Sequence, residues 1–505
     1  MRKQHNKISE VILPYNSKRQ LYINLFNPRK KQEIIVSHFG KEILAQRISN
    51  VIFERNGKLG SDACEILASA VDAVDPYQCV LNTVKIHDQR MIIDDQSWSL
   101  DQIGRIFVIG FGKSAVPMAK AMIDLLGANI TNAAVITKDK KFLEADGYKG
   151  LLAVHLGGHP VPSSASILAT TTLLDGLPPL AGNDLVLVLI SGGGSALFTK
   201  PMKGVPLDDM QRLTEVLLKC GADINEINTL RKHLDQVKGG RLAERLAPAL
   251  VKTLILSDVI GDPLDMIASG PTVPDPTTYA DTLSIIEKYN VKKQIPKSVL
   301  NYLQSGLQDQ EPETPKKGQI SEERVQNFLI GTNFKALEAG RKCAEEFGYN
   351  SLILSSHLTG HTGDVAEFLS GIIRSELAYN RPVKRPVCLL FGGETTVSVT
   401  GKGLGGRNQD LVLKMVRMIR GQMGVLFVSF ATDGDDGPTD AAGAVCDGQL
   451  YDEAVKEHHI DIGQHIADSD SYHFHQKLGS LIKTGSTGTN VNDIILIMVG
   501  HLNTN

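Results

Sequence analysis

Apolar and polar positions along this chain repeat a three-part unit: a short continuous apolar run, a loop rich in glycine or acid, then a stretch of helical period. Residues 105–109 run into Gly110-Phe111-Gly112-Lys113-Ser114 and the helical pattern of 115–126. Residues 185–190 run into Ser191-Gly192-Gly193-Gly194-Ser195, and 253–256 into Ser257-Asp258 and then Gly261-Asp262. Residues 387–391 run into Gly392-Gly393-Glu394-Thr395-Thr396, and a second glycine turn, Gly405-Gly406, leads to Arg407-Asn408-Gln409. Residues 425–430 run into Asp433-Gly434-Asp435-Asp436-Gly437. A strand that is apolar at every position is covered on both faces, which predicts parallel strands between helices and an α/β fold class. Ligands of such sheets gather beyond the carboxyl ends of the strands, where all five loops would lie.

Between these units the pattern divides the chain. Residues 1–34 form a basic tail, with eight Lys or Arg and one acid, Glu10, in the first 31. A tail of that kind reads as a mitochondrial presequence or as an untargeted segment. A helical pattern then runs to Val74, where Asp75-Pro76 stops it. The first block is placed at 35–303, a polar linker or exposed loop with two prolines at 304–323, and a second α/β block at 324–505, opening near Asn327 and closing with the strand 493–499.

Composition narrows the function classes. The hydrophobic fraction of 42% and the charged fraction of 22% are those of an ordinary soluble globular protein. A net charge of -3 gives no reason to expect a nucleic-acid partner. No apolar run approaches a membrane span of about 18–20 residues. The six cysteines lack CxxC spacing, which speaks for buried thiols in a reducing compartment. The expected location is cytoplasmic, or mitochondrial if residues 1–31 act as a presequence.

The loops carry the chemistry. A Walker A loop ending at Gly112-Lys113-Ser114 would need glycine where Phe107 stands. The dinucleotide pattern does match, as Gly110, Gly112 and Ala115 between strand and helix, with Asp139 as its acidic ribose partner. Lys113 at the helix start would add its charge to the helix dipole. The triple glycine 192–194 between Ser191 and Ser195 is expected to expose N–H groups to a phosphate, or else to form a tight turn between helix and sheet. Arg407 offers a planar fork for carboxylate or phosphate. Asp258, Asp433 and Asp435 supply hard oxygens for magnesium, or solvated turns. The pairs His155/His159 and His357/His361 are interrupted by glycine and do not form a zinc-binding helical face, so His159 is expected at the ligand. The histidines at 458–475 read as surface. Arg231, Lys232, Lys238 and Arg241 line a helix with a glycine break and suggest a basic wall.

Taken together and in order, VIGFGKSAVPMAKAM, GGHPVPSSAS, LISGGGSALF, NTLRKHLDQVKGGRLA, LSDVIGDPLDMIASGPTVPD, FGGETTVSVTGKGLGGRNQD, ATDGDDGPTDAAG and GSTGTNVND resemble the glycerate kinases that carry a C-terminal MOFRL domain. They cover most of residues 100–495. The segment 357–363 departs from that pattern. The resemblance implies a larger Rossmann-like domain and a smaller MOFRL domain facing across a cleft. It implies ATP-dependent phosphorylation of D-glycerate with magnesium, by Lys113 and Arg407 as catalytic residues. Arg407 would either stabilise the transition state or orient the substrate carboxylate. Substrate and ATP contacts are expected from Gly110, Gly112, Ser114, His159, Ser191, Gly192, Gly193, Gly194, Ser195, Arg231, Lys238, Glu394, Thr395, Gly405, Gly406 and Asn408. The expected partner is the small-molecule substrate, with neither nucleic acid nor membrane, and homo-oligomerisation is left open. An NAD(P)-dependent hydroxypyruvate reductase using the Gly110–Ala115 loop is the alternative, and a sugar-acid-binding regulatory module a third. The choice between the 2- and 3-hydroxyl is undecided at this level.

Overall fold

The computed structural model describes residues 40–144, 148 and 150–500. The basic tail lies outside the described residues. Three short strands, β1 (Val84–His87), β2 (Arg90–Ile93) and β3 (Gln96–Ser99), form a small antiparallel sheet ahead of the main body.

The first large sheet contains β4 (Ile106–Phe111), β5 (Ile130–Thr137), β6 (Ala153–Leu156), β7 (Leu185–Ile190), β8 (Leu250–Leu256) and β9 (Val325–Gly331). All neighbours run parallel, in the order β6-β5-β4-β7-β8-β9. This is the doubly wound order, whose direction of winding reverses between β4 and β7. Both strands are buried at every residue, as their unbroken apolar runs require. The two loops that leave them, 112–114 and 191–194, diverge from that reversal point.

β9 was expected to open the second block, yet it pairs with β8 in the first sheet. The polar stretch before it is bound to the body instead of hanging free. The helix Lys297–Leu307 runs into it, Arg241 donates to Pro312 O (3.0 Å), and Thr314 donates to the buried Asp275 (3.1 Å).

The second large sheet contains β10 (Asn350–Leu358), β11 (Val387–Gly393), β12 (Val425–Ala431), β13 (Gly443–Asp447), β14 (Leu481–Ile482) and β15 (Asp493–Val499), in the order β10-β11-β15-β12-β13-β14. It is mixed, not parallel throughout. β15 lies antiparallel between β11 and β12, so those two strands share a direction without touching. Their outgoing loops therefore still emerge at one end, where Asp493 begins β15.

The helices Lys41–Ile48, Val51–Arg55 and Gly57–Asp72 come first in the chain but pack with this last sheet. Ile48, Ile52, Phe53, Ile66 and Leu67 are buried in the core shared with β11, β12 and β15. Arg55 closes a two-bond fork on Asp447 (2.8 and 2.6 Å), and Asn50 donates to Leu481 O (3.0 Å). Among the described residues all six cysteines are free, and no helix is long and apolar enough to cross a membrane.

Candidate active site

The loop after β4 uses its backbone internally. Gly112 N–H donates to Ile136 O (3.1 Å), Lys113 N–H to Gly192 O (2.8 Å) and Ser114 N–H to Ser191 Oγ (2.9 Å). Gly112, at φ +132°, lies so close to Ser191 that a Cβ would stand 2.2 Å from its Oγ. The N–H groups that a pyrophosphate would need at the start of the helix Ala115–Leu126 are thus already taken, which removes the physical basis of the dinucleotide reading. Gly110 is enclosed in β4, and the buried Ser114 donates its hydroxyl to Gly488 O (2.9 Å). From this loop only the Lys113 side chain reaches outward, its Nζ 3.6 Å from Asp433.

The triple-glycine loop is shaped by what it must admit. A Cβ on Gly192 would stand 2.2 Å from the Asp258 carboxylate, and one on Gly193, at φ +80°, 2.7 Å from the His159 ring. Glycine here lets an acid and an imidazole close onto the loop. Burial pushes the Asp258 carboxyl up, against the opposing pull of Lys113. Burial, then the charges of Lys113 and Lys138, lowers His159 to about 4, so its imidazole is neutral near pH 7.

Beside this loop opens a cavity of about 600 Å³, bordered by His159, Ser191, Gly193, Gly194, Ser195, Arg231, Asp258 and Glu394. Asn225 and Asn228, which the sequence reading did not single out, join them. Lys238, expected on the basic wall, is buried and committed elsewhere. Its Nζ donates to Ser195 O (2.9 Å) and Phe198 O (2.7 Å) and stands 3.8 Å from Asp235. It supports the loop from behind and does not face the cavity.

The second sheet contributes Arg407, at the start of the helix Arg407–Met418. Its Nε and Nη2 donate to Asp493 (2.6 and 2.8 Å), and Nη1 lies 3.0 Å from Glu394. Burial opposes the guanidinium charge, but Asp493 and Glu394 more than offset it and hold the group firmly protonated. Glu394 is pushed up by lost hydration and by the nearby Asp493, Asp258 and Asp433, against Arg407. Lys113 and Arg407 thus come from different sheets to separate carboxylates, Asp433 and Glu394, of which the first pushes up the pKa of the second.

Asn408 was expected at a ligand, yet the helix start it occupies already holds an internal anion. The buried Asp436 accepts from the N–H of Asn408 (3.1 Å) and of Gln409 (2.9 Å), and from both side-chain amides. Gly405 and Gly406 give room to Ser471 and to Asp436, which a Cβ would meet at 2.0 and 2.2 Å. Thr395 is buried behind Glu394. Asp435 is exposed, and its N–H bonds Asp433 (3.1 Å). His475 in the C-terminal cluster is not on the surface. It is buried, with its ring nitrogens 2.8 Å from Ser480 Oγ and 2.9 Å from Gln409 O.

Asp493 and Asp436 escaped the sequence reading. A carboxylate opening a strand that is otherwise wholly apolar (DIILIMV) is the signal that could have found the first. Among the described residues no three His, Cys, Asp or Glu side chains are grouped to hold a metal ion. Asp258 and Asp433 nevertheless fit magnesium, which prefers one or two carboxylates with substrate phosphates and water to an all-protein cage.

The chain is similar to known proteins in sequence and in fold. A family model described as a domain of unknown function (DUF4147) matches residues 62–304, and the MOFRL family model matches 387–493. The glycerate 2-kinase of Pyrococcus horikoshii is 41% identical over 86% of this chain and 96% of its own length. The D-glycerate 2-kinase of Thermotoga maritima is 40% identical over 86% of this chain and 97% of its own. The crystal structure of a glycerate kinase from Thermotoga maritima superimposes with a TM-score of 0.76 over 87% of this chain and 98% of that one. With that identity over nearly the full length of its relatives, and a MOFRL domain at its C-terminal end, this chain belongs to the glycerate kinase family.

Proposed function

We propose that this protein transfers the γ-phosphoryl group of ATP to D-glycerate, at the 2-hydroxyl. The observation that carries the reading is the pair of cations, Lys113 and Arg407, brought in from different sheets, with Lys113 paired to Asp433 and Arg407 to Asp493 and to Glu394, which borders the cavity. The names of the two relatives at 40 and 41% identity support the choice of hydroxyl.

Phosphoryl transfer calls for positioning and charge neutralisation more than covalent help. In this reading Lys113 neutralises oxygens of the transferring group. Arg407, held rigid by Asp493 and Glu394, meets the charge that builds up in the transition state. The half-buried Asp258, which borders the cavity and has a raised pKa, takes the proton of the attacking hydroxyl as the oxygen–phosphorus bond forms and ADP departs. This role suits it better than metal binding. Asp433 would hold magnesium together with phosphate oxygens and water, and the ion would offset the charge of the triphosphate.

Purified protein incubated with D-glycerate, ATP and Mg²⁺ should yield 2-phosphoglycerate by ³¹P NMR. A 3-phosphoglycerate signal would move the reaction to the other hydroxyl. Absence of either, with NADH consumed on hydroxypyruvate, would replace the kinase by a reductase.

A further inference from the structure

Arg231 lies on the helix Ile224–His233 and borders the cavity, with Asn228 Oδ1 3.5 Å from its Nη1. Its neighbours at the site are all matched: Lys113 faces Asp433, Arg407 faces Asp493 and Glu394, and Lys238 faces Asp235. No carboxylate among the described residues comes within ion-pairing distance of Arg231. Burial lowers its pKa with no acid to oppose the shift, and its own charge helps lower the pKa of Lys238. A desolvated guanidinium without a counter-ion is costly, and it suits a protein that receives the counter-ion as a ligand.

Resting on the kinase reading above, we infer that Arg231 is the receptor for the substrate carboxylate and thereby sets specificity for small hydroxy acids over neutral polyols. A planar fork matches a carboxylate through two parallel hydrogen bonds, and one such anion balances one cation. A triphosphate carries several charges and is better served by Lys113, Arg407 and a magnesium ion together. The amides of Asn225 and Asn228, on the same helix, offer neutral hydrogen-bond partners to substrate hydroxyls.

The test is steady-state kinetics on wild type, Arg231→Gln and Arg231→Lys, with the melting temperature of each ligand-free protein. Loss of a charge-assisted fork should lower kcat/KM for D-glycerate by about thirtyfold or more in Arg231→Gln. Arg231→Lys should fall between, and KM for ATP should not move. The melting temperature should hold or rise, because a half-buried cation without a carboxylate partner has been removed. A raised KM for ATP with D-glycerate unaffected would overturn the assignment and give Arg231 to the nucleotide. Unchanged kinetics for both substrates would overturn it as well, as would a variant that merely melts earlier. Wild-type protein that phosphorylates no glycerate at all would instead sink the kinase reading on which it rests.

Discussion

Lys113 illustrates how a residue is freed for one task. Its N–H is tied to Gly192 O, while its ammonium has only the partly exposed Asp433 at 3.6 Å, a pairing that adds little to stability. Lys113→Ala should therefore cut kcat by about 10²–10³, the scale of losing one electrostatic contact to the transition state. Its urea midpoint should match wild type, and near-normal turnover would remove Lys113 from the mechanism. Asp258 makes a pH prediction. As a proton acceptor it must be ionised, and burial raises its pKa, so kcat/KM should fall on an acid limb above the ordinary aspartate range of about 4. His159, already neutral well above its pKa of about 4, should add no inflection near pH 6.5. Lys113 was legible in the sequence because the strand, glycine and helix around it fix its place. Asp436 was not, because three acids in five residues look alike until the fold turns one of them inward.

Elements show what an apolar run can and cannot tell. The runs at 387–391 and 425–430 correctly announced strands buried on both faces, but burial carries no information about direction. The strand 493–499 was expected, but not its place as β15 between those two, nor its opposite direction. The first sheet was more legible, since helices follow most of its strands, β5 excepted, and supply parallel crossovers. The helix Arg407–Met418 shows a related limit. Its N-cap is Gly406, which supplies no side-chain cap, and Asp436 from another loop fills that role. Asp436→Ala would leave buried N–H groups of Asn408 and Gln409 without acceptors, costing about 2–3 kcal/mol. Urea denaturation should register that loss, and turnover should fall with it because Arg407 is the first residue of the same helix. A variant as stable as wild type would show that the helix start does not depend on this carboxylate.

At the scale of the whole molecule, one buried imidazole couples stability to pH. His475 is fully enclosed and titrates at about 4 in the fold, because burial disfavours its charged form. In the unfolded chain it takes up a proton near pH 6.5. Between those values the unfolded state binds more protons, so stability present above pH 6.5 is lost as pH falls towards 4. Between pH 7 and pH 5 this term is worth about 2 kcal/mol. The advantage of wild type over His475→Gln in urea should shrink by that order across the same interval, and a constant gap would contradict it.

The packing of the first helices on the last sheet orders events in time. A ribosome delivers Ile52, Phe53 and Leu67 early, but the sheet that covers them lacks its central strand until Asp493–Val499 has been made. The nascent chain therefore carries an uncovered apolar surface until that strand is made, a burden chaperones exist to shield. Until then, the sheet lacks its centre and Arg407 its partner Asp493.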